Sequence, residues 1–465
     1  MNLLWKTLIA LGGLCTSFSQ GYSLDLPELR DSVPSTWTYI SDHCVSLPSD
    51  DSWWQGFEDP VLSYLIELGE TNSFDISMAA HRIETARLNW QLARSSYYPT
   101  LGVTAGWTKE QSSGMTSSPG GKAMGTDFFS LGLNFSWQID VFGRVREKSK
   151  QQKASYAASK AEYSAAMISL CANIATAYFN YRLAQARINV TESQIISQER
   201  ITQITTARYE AGLASKLDVS QSLTVLYSTQ ASLPALINMR TAALNSLALL
   251  TGCYPDKIRD RLSKPVDLPN AFRLVKIGVP SDLLRRRPDI IEAESELAGY
   301  AAQAGIAKKD FLPVLSLAGS IGTSAHRIDD LFTKNSLSYS IAPQLSWTIF
   351  EGMARNKRVA IAKEQMLAGI DNYNITVMNA VIETENALSS YESNLKQISL
   401  YRKVLNESRE SFSLAIDRYK RGLSSFTDVM DAQMSMLDYE NTLLETQVAA
   451  LNSLVQIYQA MAGGV

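Results

Sequence analysis

A twelve-residue pattern occurs twice in the chain and sets the scale on which everything else must fold. Arg208-Tyr209-x-x-Gly212-Leu213-x-Ser215-x-x-Asp218-Val219 returns 210 residues later as Arg418-Tyr419-x-x-Gly422-Leu423-x-Ser425-x-x-Asp428-Val429, with every named residue kept. Other landmarks return at nearly the same displacement. Ser136-Trp137 is answered by Ser346-Trp347, and Phe142-Gly143 with Arg146 and Lys148 by Gly352 with Arg355 and Lys357. The string from Ala242 to Leu247 comes back from Ala449 to Leu454. Self-similarity on this scale means two copies of one supersecondary unit rather than unrelated domains. Each copy reads strand, strand, long helix, return helix.

The longest segments, about 143–211 and 353–421, contain no proline and almost no interior glycine, which suits uninterrupted helices. At ~1.5 Å per residue each is on the order of 100 Å long. Val377, Thr384, Tyr391, Ile398, Leu405, Phe412 and Tyr419 fall seven apart in the second copy. Met167, Ile174, Tyr181, Ile188, Ile195, Thr202 and Tyr209 hold the same phase in the first. A shared heptad seam predicts helices that supercoil on partners. Cys171 stands 210 residues before Val381 and reads as packing on the same apolar face. The return helices fall at about 215–250 and 425–461, and Pro234 is expected to kink or interrupt the first of them.

The start of each copy has a different period. Leu131, Leu133, Phe135, Trp137, Ile139 and Val141 alternate with Gly132, Asn134, Ser136, Gln138 and Asp140. Tyr339, Ile341, Pro343, Leu345, Trp347 and Ile349 alternate with small and polar residues in the second copy. Strict alternation predicts strands at about 129–141 and 338–350, with partners at about 98–108 and 313–322. These are close to the ~10 residues that cross a bilayer at a tilt. Tyr97, Tyr98, Phe128, Phe129, Phe142, Phe311 and Phe350 near their ends suit an interfacial girdle. Pro343 removes one ladder hydrogen bond. Four strands cannot close, and an open edge is not tolerated in lipid, so the barrel demands an oligomer. Two copies would supply eight strands and three would supply twelve.

Composition removes several function classes. The 43 basic and 46 acidic residues are spread along the chain without a Lys/Arg block, so no nucleic-acid partner is expected. Lys6 and the apolar stretch Leu8 to Leu14 read as an export signal within residues 1–23, and no later run approaches ~18 uninterrupted apolar residues. Cys15 raises lipidation, although Leu14 precedes it where a lipoprotein signal has a small residue. The alternative is cleavage after Ser17-Phe18-Ser19 or nearby. Cys44, Cys171 and Cys253 show no paired spacing and read as single thiols. His43, His81 and His326 are far apart, and no nucleophilic triad, phosphate loop or paired catalytic carboxylates stands out. Met430, Met434 and Met436 invite a soft-metal site, the first two by sharing a helix face. Packing between helices is the favoured reading. No enzyme, cofactor or metal site is expected.

Four further segments carry a resemblance. They are Trp53-Trp54-x-x-Phe57-x-Asp59-Pro60, Asp140-Val141-Phe142-Gly143-Arg144, Val279-Pro280-Ser281-Asp282-Leu283-Leu284-x-Arg286-Arg287-Pro288-Asp289, and Asp431-Ala432-Gln433. With the repeat, they resemble the TolC-like outer-membrane factor family, in the branch serving RND-type pumps that includes OprM. The resemblance covers nearly the whole mature chain. It implies a mostly α fold with a membrane β-barrel: a homotrimer whose twelve-stranded barrel is continued by a long twelve-helix coiled tunnel.

It implies an N-terminal extended segment at 24–60, a first repeat at 61–251, an equatorial connector at 252–287 and a second repeat at 288–465. The implied place is the bacterial outer membrane, in contact with its lipid and extending into the periplasm. The implied partners are a periplasmic adaptor protein and an inner-membrane RND transporter. The two Arg-Tyr-x-x-Gly-Leu segments become periplasmic tips, with Gly212, Leu213, Ser215, Gly422, Leu423 and Ser425 as turn and adaptor-contact residues.

The family's constriction falls on Tyr419, Asp428 and Asp431 at the second tip. Asp428 also reads as a helix cap, because Asp218 repeats it. Relatives often carry a basic residue where this chain has Met434. The implied function is a passive efflux duct with an iris-like gate. A duct for ABC-driven protein secretion and a non-conducting coiled-coil envelope protein are the other readings.

Overall fold

The computed structural model describes residues 34, 36–38, 44–46, 52–113, 124–264, 266–270, 275–277 and 286–462. The export signal, Cys15, His43 and residues 279–285 of the third motif lie outside the described residues. In chain order the elements are β1 (Cys44–Ser46), α1 (Pro60–Asn72), α2 (Phe74–Ser95), β2 (Thr100–Ser112), β3 (Met124–Ile139), α3 (Arg144–Glu210), α4 (Lys216–Leu250), α5 (Pro255–Ser263), β4 (Val275–Ile277), α6 (Pro288–Lys309), β5 (Val314–Ala325), β6 (Leu337–Ser346), α7 (Ala354–Lys420) and α8 (Phe426–Ala460). The two long helices have 67 residues each and the two return helices 35 each, so the duplication extends to element length. The chain divides into two compact units.

The first unit takes residues 83–159 and 293–373 and holds the membrane sheet. Its strand order is β2-β3-β5-β6, antiparallel throughout, so the hairpins of the two copies pair through β3 and β5. The register places Val103 opposite Leu133 and Leu133 opposite Ile321, which puts the alternating apolar residues on one face. Among the described residues both outer strands lack a second neighbour, and every residue of β6 is exposed. Pro343 sits opposite Leu317 in β6 and supplies no N–H to the ladder.

β6 stops at Ser346, short of the predicted 350, because its last partner is Val314 and Pro313 before that has no N–H. Beyond the strands the duplication reaches single hydrogen bonds. The indole of Trp137 donates to the carbonyl of Tyr97, and that of Trp347 to the carbonyl of Phe311, both at 2.9 Å. At Gly369 a Cβ would approach Tyr300 Cδ2 to 2.9 Å, so this glycine lets α7 lie close to α6.

The second unit takes residues 29–82, 160–292 and 374–465. Its core is built on α3, where Ile174, Ala175, Tyr178, Phe179 and Ala184 are fully buried. Leu62, Leu65 and Ile66 of α1 and Ile258 and Leu262 of α5 are buried in the same unit. Trp53, Trp54 and Phe57 form a short 3-10 turn before α1, and Trp53 stacks on Tyr458 at 5.2 Å. Polar groups fix these elements together. Asp59 caps α1 through the N–H groups of Val61 and Leu62, at 2.8 and 3.2 Å, and accepts a hydrogen bond from the Tyr178 hydroxyl.

Arg182, 2% exposed, donates to the Tyr178 oxygen at 3.0 Å and to the carbonyl of Lys264 at 2.8 Å. Burying a guanidinium is costly unless its donors are met, and here Tyr178, Gln185 and the carbonyls at the end of α5 take Nε and Nη1, while Nη2 is left without a partner. Gly252 adopts φ +62°, and a Cβ there would sit 2.2 Å from the carbonyl oxygen of Asn72. β1 pairs in parallel with β4, joining the N-terminal segment to the connector.

On α7 the predicted seam is buried at Val377, Thr384, Tyr391, Ile398, Leu405 and Tyr419 and half-buried at Phe412. On α3 the seam is buried at Ile174, Tyr181, Ile188 and Thr202, half-buried at Met167 and Ile195, and fails at Tyr209, which is 42% exposed. Cys171 is buried, and desolvation with the nearby Glu70 carboxylate pushes its thiol up to about 12, in keeping with packing. Pro234 does not interrupt α4, which runs as one helix from Lys216 to Leu250. That helix is long and apolar enough to cross a membrane by composition alone, but it is the copy of α8 in the helical repeat.

Candidate functional site: the two helix turns

Both long helices end in the same backbone device. Gly212 has φ +72° and Gly422 φ +73°, the left-handed region that L residues with a side chain disfavour. Leu213 N–H donates to the Arg208 carbonyl at 2.8 Å, and Leu423 N–H to the Arg418 carbonyl at 2.9 Å. The glycine N–H groups bond back to Tyr209 and Tyr419 at 2.9 Å in both turns. These bonds satisfy carbonyls that a helix end leaves open.

Three residues after the glycines, Ser215 and Ser425 start the return helices with reciprocal caps. Asp218 N–H donates to Ser215 Oγ at 3.2 Å, while Ser215 N–H donates to Asp218 Oδ2 at 3.1 Å. Ser425 and Asp428 repeat this at 3.3 and 3.0 Å. Asp428 is therefore engaged at the head of α8, just as Asp218 is at the head of α4.

The turns differ in their side chains. Tyr419 is 6% exposed and packs in a cluster with Ile201, Phe426 and Val429, its ring edge-on to Phe426 at 5.6 Å. Tyr209 instead stands 42% exposed, with Lys216 Nζ over its ring at 5.6 Å. Arg208 reaches across from the first turn to the second. Its guanidinium lies over the Tyr419 ring at 4.9 Å and donates to the carbonyl of Lys420 at 2.7 Å, with a further bond to Leu213 in its own turn at 3.4 Å. Arg418 repeats only the bond to its own turn, to Leu423 at 3.5 Å. The Tyr419 hydroxyl and Arg208 Nε are buried without hydrogen-bond partners.

Asp431 is exposed one turn beyond Asp428 and takes no hydrogen bond or ion pair among the described residues. Leu213 and Leu423 project, 67% and 64% exposed. Ser215 and Ser425 are exposed as well. The sequence pattern thus located the turns, the caps and Tyr419, and missed Arg208 as a link because both copies carry the same arginine.

The methionines do not converge: Met430 packs against the Tyr419 cluster, Met434 is 57% exposed and Met436 is buried. No group of His, Cys, Asp and Glu suited to a metal ion occurs among the described residues.

Comparison with known proteins identifies the family. The family described as outer membrane efflux protein matches residues 65–253 and 279–463, one stretch for each copy of the repeat. The solvent efflux pump outer membrane protein SrpC of Pseudomonas putida is 33% identical over 411 residues, covering 88% of this chain and 86% of the relative. The outer membrane protein OprJ of Pseudomonas aeruginosa is 27% identical over 434 residues, 93% of this chain and 90% of the relative. Among solved structures, the outer-membrane channel OprN superposes with a TM-score of 0.84 at 29% identity, covering 93% of this chain and 98% of that one. The chain belongs to the outer membrane efflux protein family and serves as an outer-membrane exit duct.

Proposed function

We propose that three copies of this chain form one passive duct, coupled through a periplasmic adaptor to an inner-membrane RND transporter, with its gate at the second helix turn. The observation that carries the reading is the four-stranded sheet whose two edges are unpaired among the described residues, and whose strands β3 and β6 lead into 67-residue helices. Lipid supplies no partner for an open edge, and β6 of one copy can be completed by β2 of the next. Twelve strands then make the barrel and twelve helices the tunnel.

In this reading Tyr419 and Arg208 hold the second turn inward, and Asp431 supplies an unengaged carboxylate in each copy. Three such carboxylates around an axis favour cations and repel one another. Asp428 contributes through the cap it makes with Ser425. The exposed Leu213 and Leu423, with Gly212, Ser215, Gly422 and Ser425 shaping the turns, offer apolar knobs to the adaptor. The duct moves solutes down the path that the pump opens and catalyses nothing.

Purified full-length protein in planar bilayers tests the reading. The expected result is a small, mostly closed conductance that rises when Arg208→Ala or Asp431→Ala loosens the tip. A duct silent in all three forms would sink it. Copurification with an adaptor and an RND transporter tests the coupling, and recovery with an ABC transporter alone would redirect it.

A further inference from the structure

Along α3 one buried column changes its chemistry partway down. Leu170, Ala177, Ala184, Thr191, Gln198 and Thr205 fall seven apart and are all buried, yet the first three are apolar and the last three polar. The column beside it changes in the same sense, from Ile174, Tyr181 and Ile188 to Thr202. A third column, Gln194, Ile201 and Arg208, leads to the second helix turn. Ile201 packs there with Tyr419, Phe426 and Val429, and Arg208 covers the Tyr419 ring. Polar residues at seam positions lower the stability of a helix pair. The second copy does not share the change: 210 residues on, Phe412 and Ala415 stand for Thr202 and Thr205 and pack against the Tyr419 cluster.

Hydrogen bonding divides at the same place. Before the change, Gln185 is used at both ends, accepting from Arg182 Nη1 at 2.8 Å and donating to the Ser263 carbonyl at 3.3 Å. Beyond it, Arg187 Nε, Gln194 Oε1, Gln198 Oε1 and Thr202 Oγ1 are buried without a hydrogen-bond partner among the described residues. Gln198 commits its amide nitrogen to the Ser222 carbonyl at 3.0 Å, so flipping the amide does not help its oxygen. Arg208 Nε and the Tyr419 hydroxyl extend the run to the turn. Each such atom penalises the packed arrangement and is relieved once water reaches it. On successive turns of one helix, these penalties favour opening of that stretch alone rather than of the whole unit.

We propose that α3 beyond Ala184 is a release seam: the stretch next to the turns parts from its packing partners and hydrates as one piece, while the stretch before it stays packed. The second turn can then move without unfolding the rest of the unit. The link to gating rests on the duct reading, whereas the uneven stability of α3 does not.

Hydrogen exchange of the detergent-solubilised full-length protein, read by mass spectrometry, tests the seam. Amides of 187–206 are expected to exchange at least about tenfold faster than those of 170–184. Gln194→Met and Thr202→Val each remove an unmet atom at nearly constant volume. Each is expected to slow exchange of 187–206 by about fivefold. Gln185→Met breaks bonds that are made, and its neighbourhood is expected to exchange about fivefold faster. Exchange that is unchanged or faster in Gln194→Met and Thr202→Val would overturn the proposal, as would equal exchange along the whole of α3 in the wild type. The two variants are independent, so one that fails to fold leaves the other to decide.

Planar bilayers read the gating. In an Asp431→Ala background, Gln194→Met is expected to lower the open fraction about fivefold. Slower exchange with an unchanged open fraction would overturn the release role. Slower exchange in a protein that conducts in no form would refute the duct and leave the seam.

Discussion

Tyr209 and Tyr419 occupy the same place in the two copies, follow the same arginine and precede the same Gly-Leu turn, yet the first is 42% exposed and the second 6%. Backbone geometry does not separate them, since the glycine angles and the closing hydrogen bonds agree. The difference begins one residue past the cap, where the first copy has Lys216 and the second Phe426. Lys216 keeps its ammonium in water above Tyr209, whereas Phe426 packs edge-on against Tyr419 and draws it into the cluster with Ile201 and Val429. Arg208, identical in sequence to Arg418, then has an aromatic face to cover in the neighbouring turn. One substitution at the first position of a return helix therefore turns a solvated tip into a packed one, and a duplicated local bond into a link between tips.

The sharpest way to break the contrast is Phe426→Lys, which gives the second turn the first turn's residue. It is expected to destabilise that turn by about 3 kcal/mol or more. Trypsin cleavage after Lys420 or Arg421 in otherwise folded protein should accelerate accordingly, because local opening limits the cut. Unchanged cleavage would mean that Phe426 does not hold the turn.

Arg208→Ala is next, at about 2 kcal/mol for a cation over an aromatic ring and a charged hydrogen bond. Arg418→Ala is expected to cost about 0.5 kcal/mol, since Arg418 makes only the long bond within its own turn. The pair is read by the same cleavage assay, and equal effects would contradict the link between the tips.

Ser215→Ala and Ser425→Ala should each cost about 1 kcal/mol, alike in both copies, because the caps are alike. Backbone amide exchange in the first turns of α4 and α8 measures this, and a twofold inequality in that cost would show that packing around Phe426 also controls the cap. Gly212→Ala and Gly422→Ala close the series at about 1 kcal/mol each, from the left-handed angle alone. A Cβ at Gly212 meets nothing within 4 Å, and one at Gly422 meets only the end of Arg208 at 3.7 Å.

What could be read in the sequence was whatever repeats or has a period. The displacement of the Arg-Tyr-x-x-Gly-Leu segments placed both turns, and the alternation from Leu131 to Ile139 gave a strand whose register the sheet confirms. Helix ends came within a residue, since the glycines and the Ser-x-x-Asp caps are local signals. Contacts set by distant parts of the chain were not legible.

Asp59, Tyr178 and Arg182 are joined across more than a hundred residues, and nothing in their neighbourhoods announces that they meet. The end of β6 depended on Pro313 in another strand's approach. At the turns the repeat itself misled: identical motifs suggested identical tips, and the heptad phase carried Tyr209 into a seam that the fold does not give it. Lys216 against Phe426 was the visible clue, a charged residue and an aromatic one at the same register.

The two unpaired edges of the sheet also bear on how the protein reaches its site of action. A single exported chain carries a sheet that cannot enter lipid without leaving backbone groups unmet, and an exposed edge in water invites indiscriminate pairing. Insertion and association therefore have to be one event, with no inserted monomer as a resting intermediate. The rate at which new ducts appear should rise more steeply than the first power of the amount of chain delivered, so that halving synthesis costs the cell more than half of its exits.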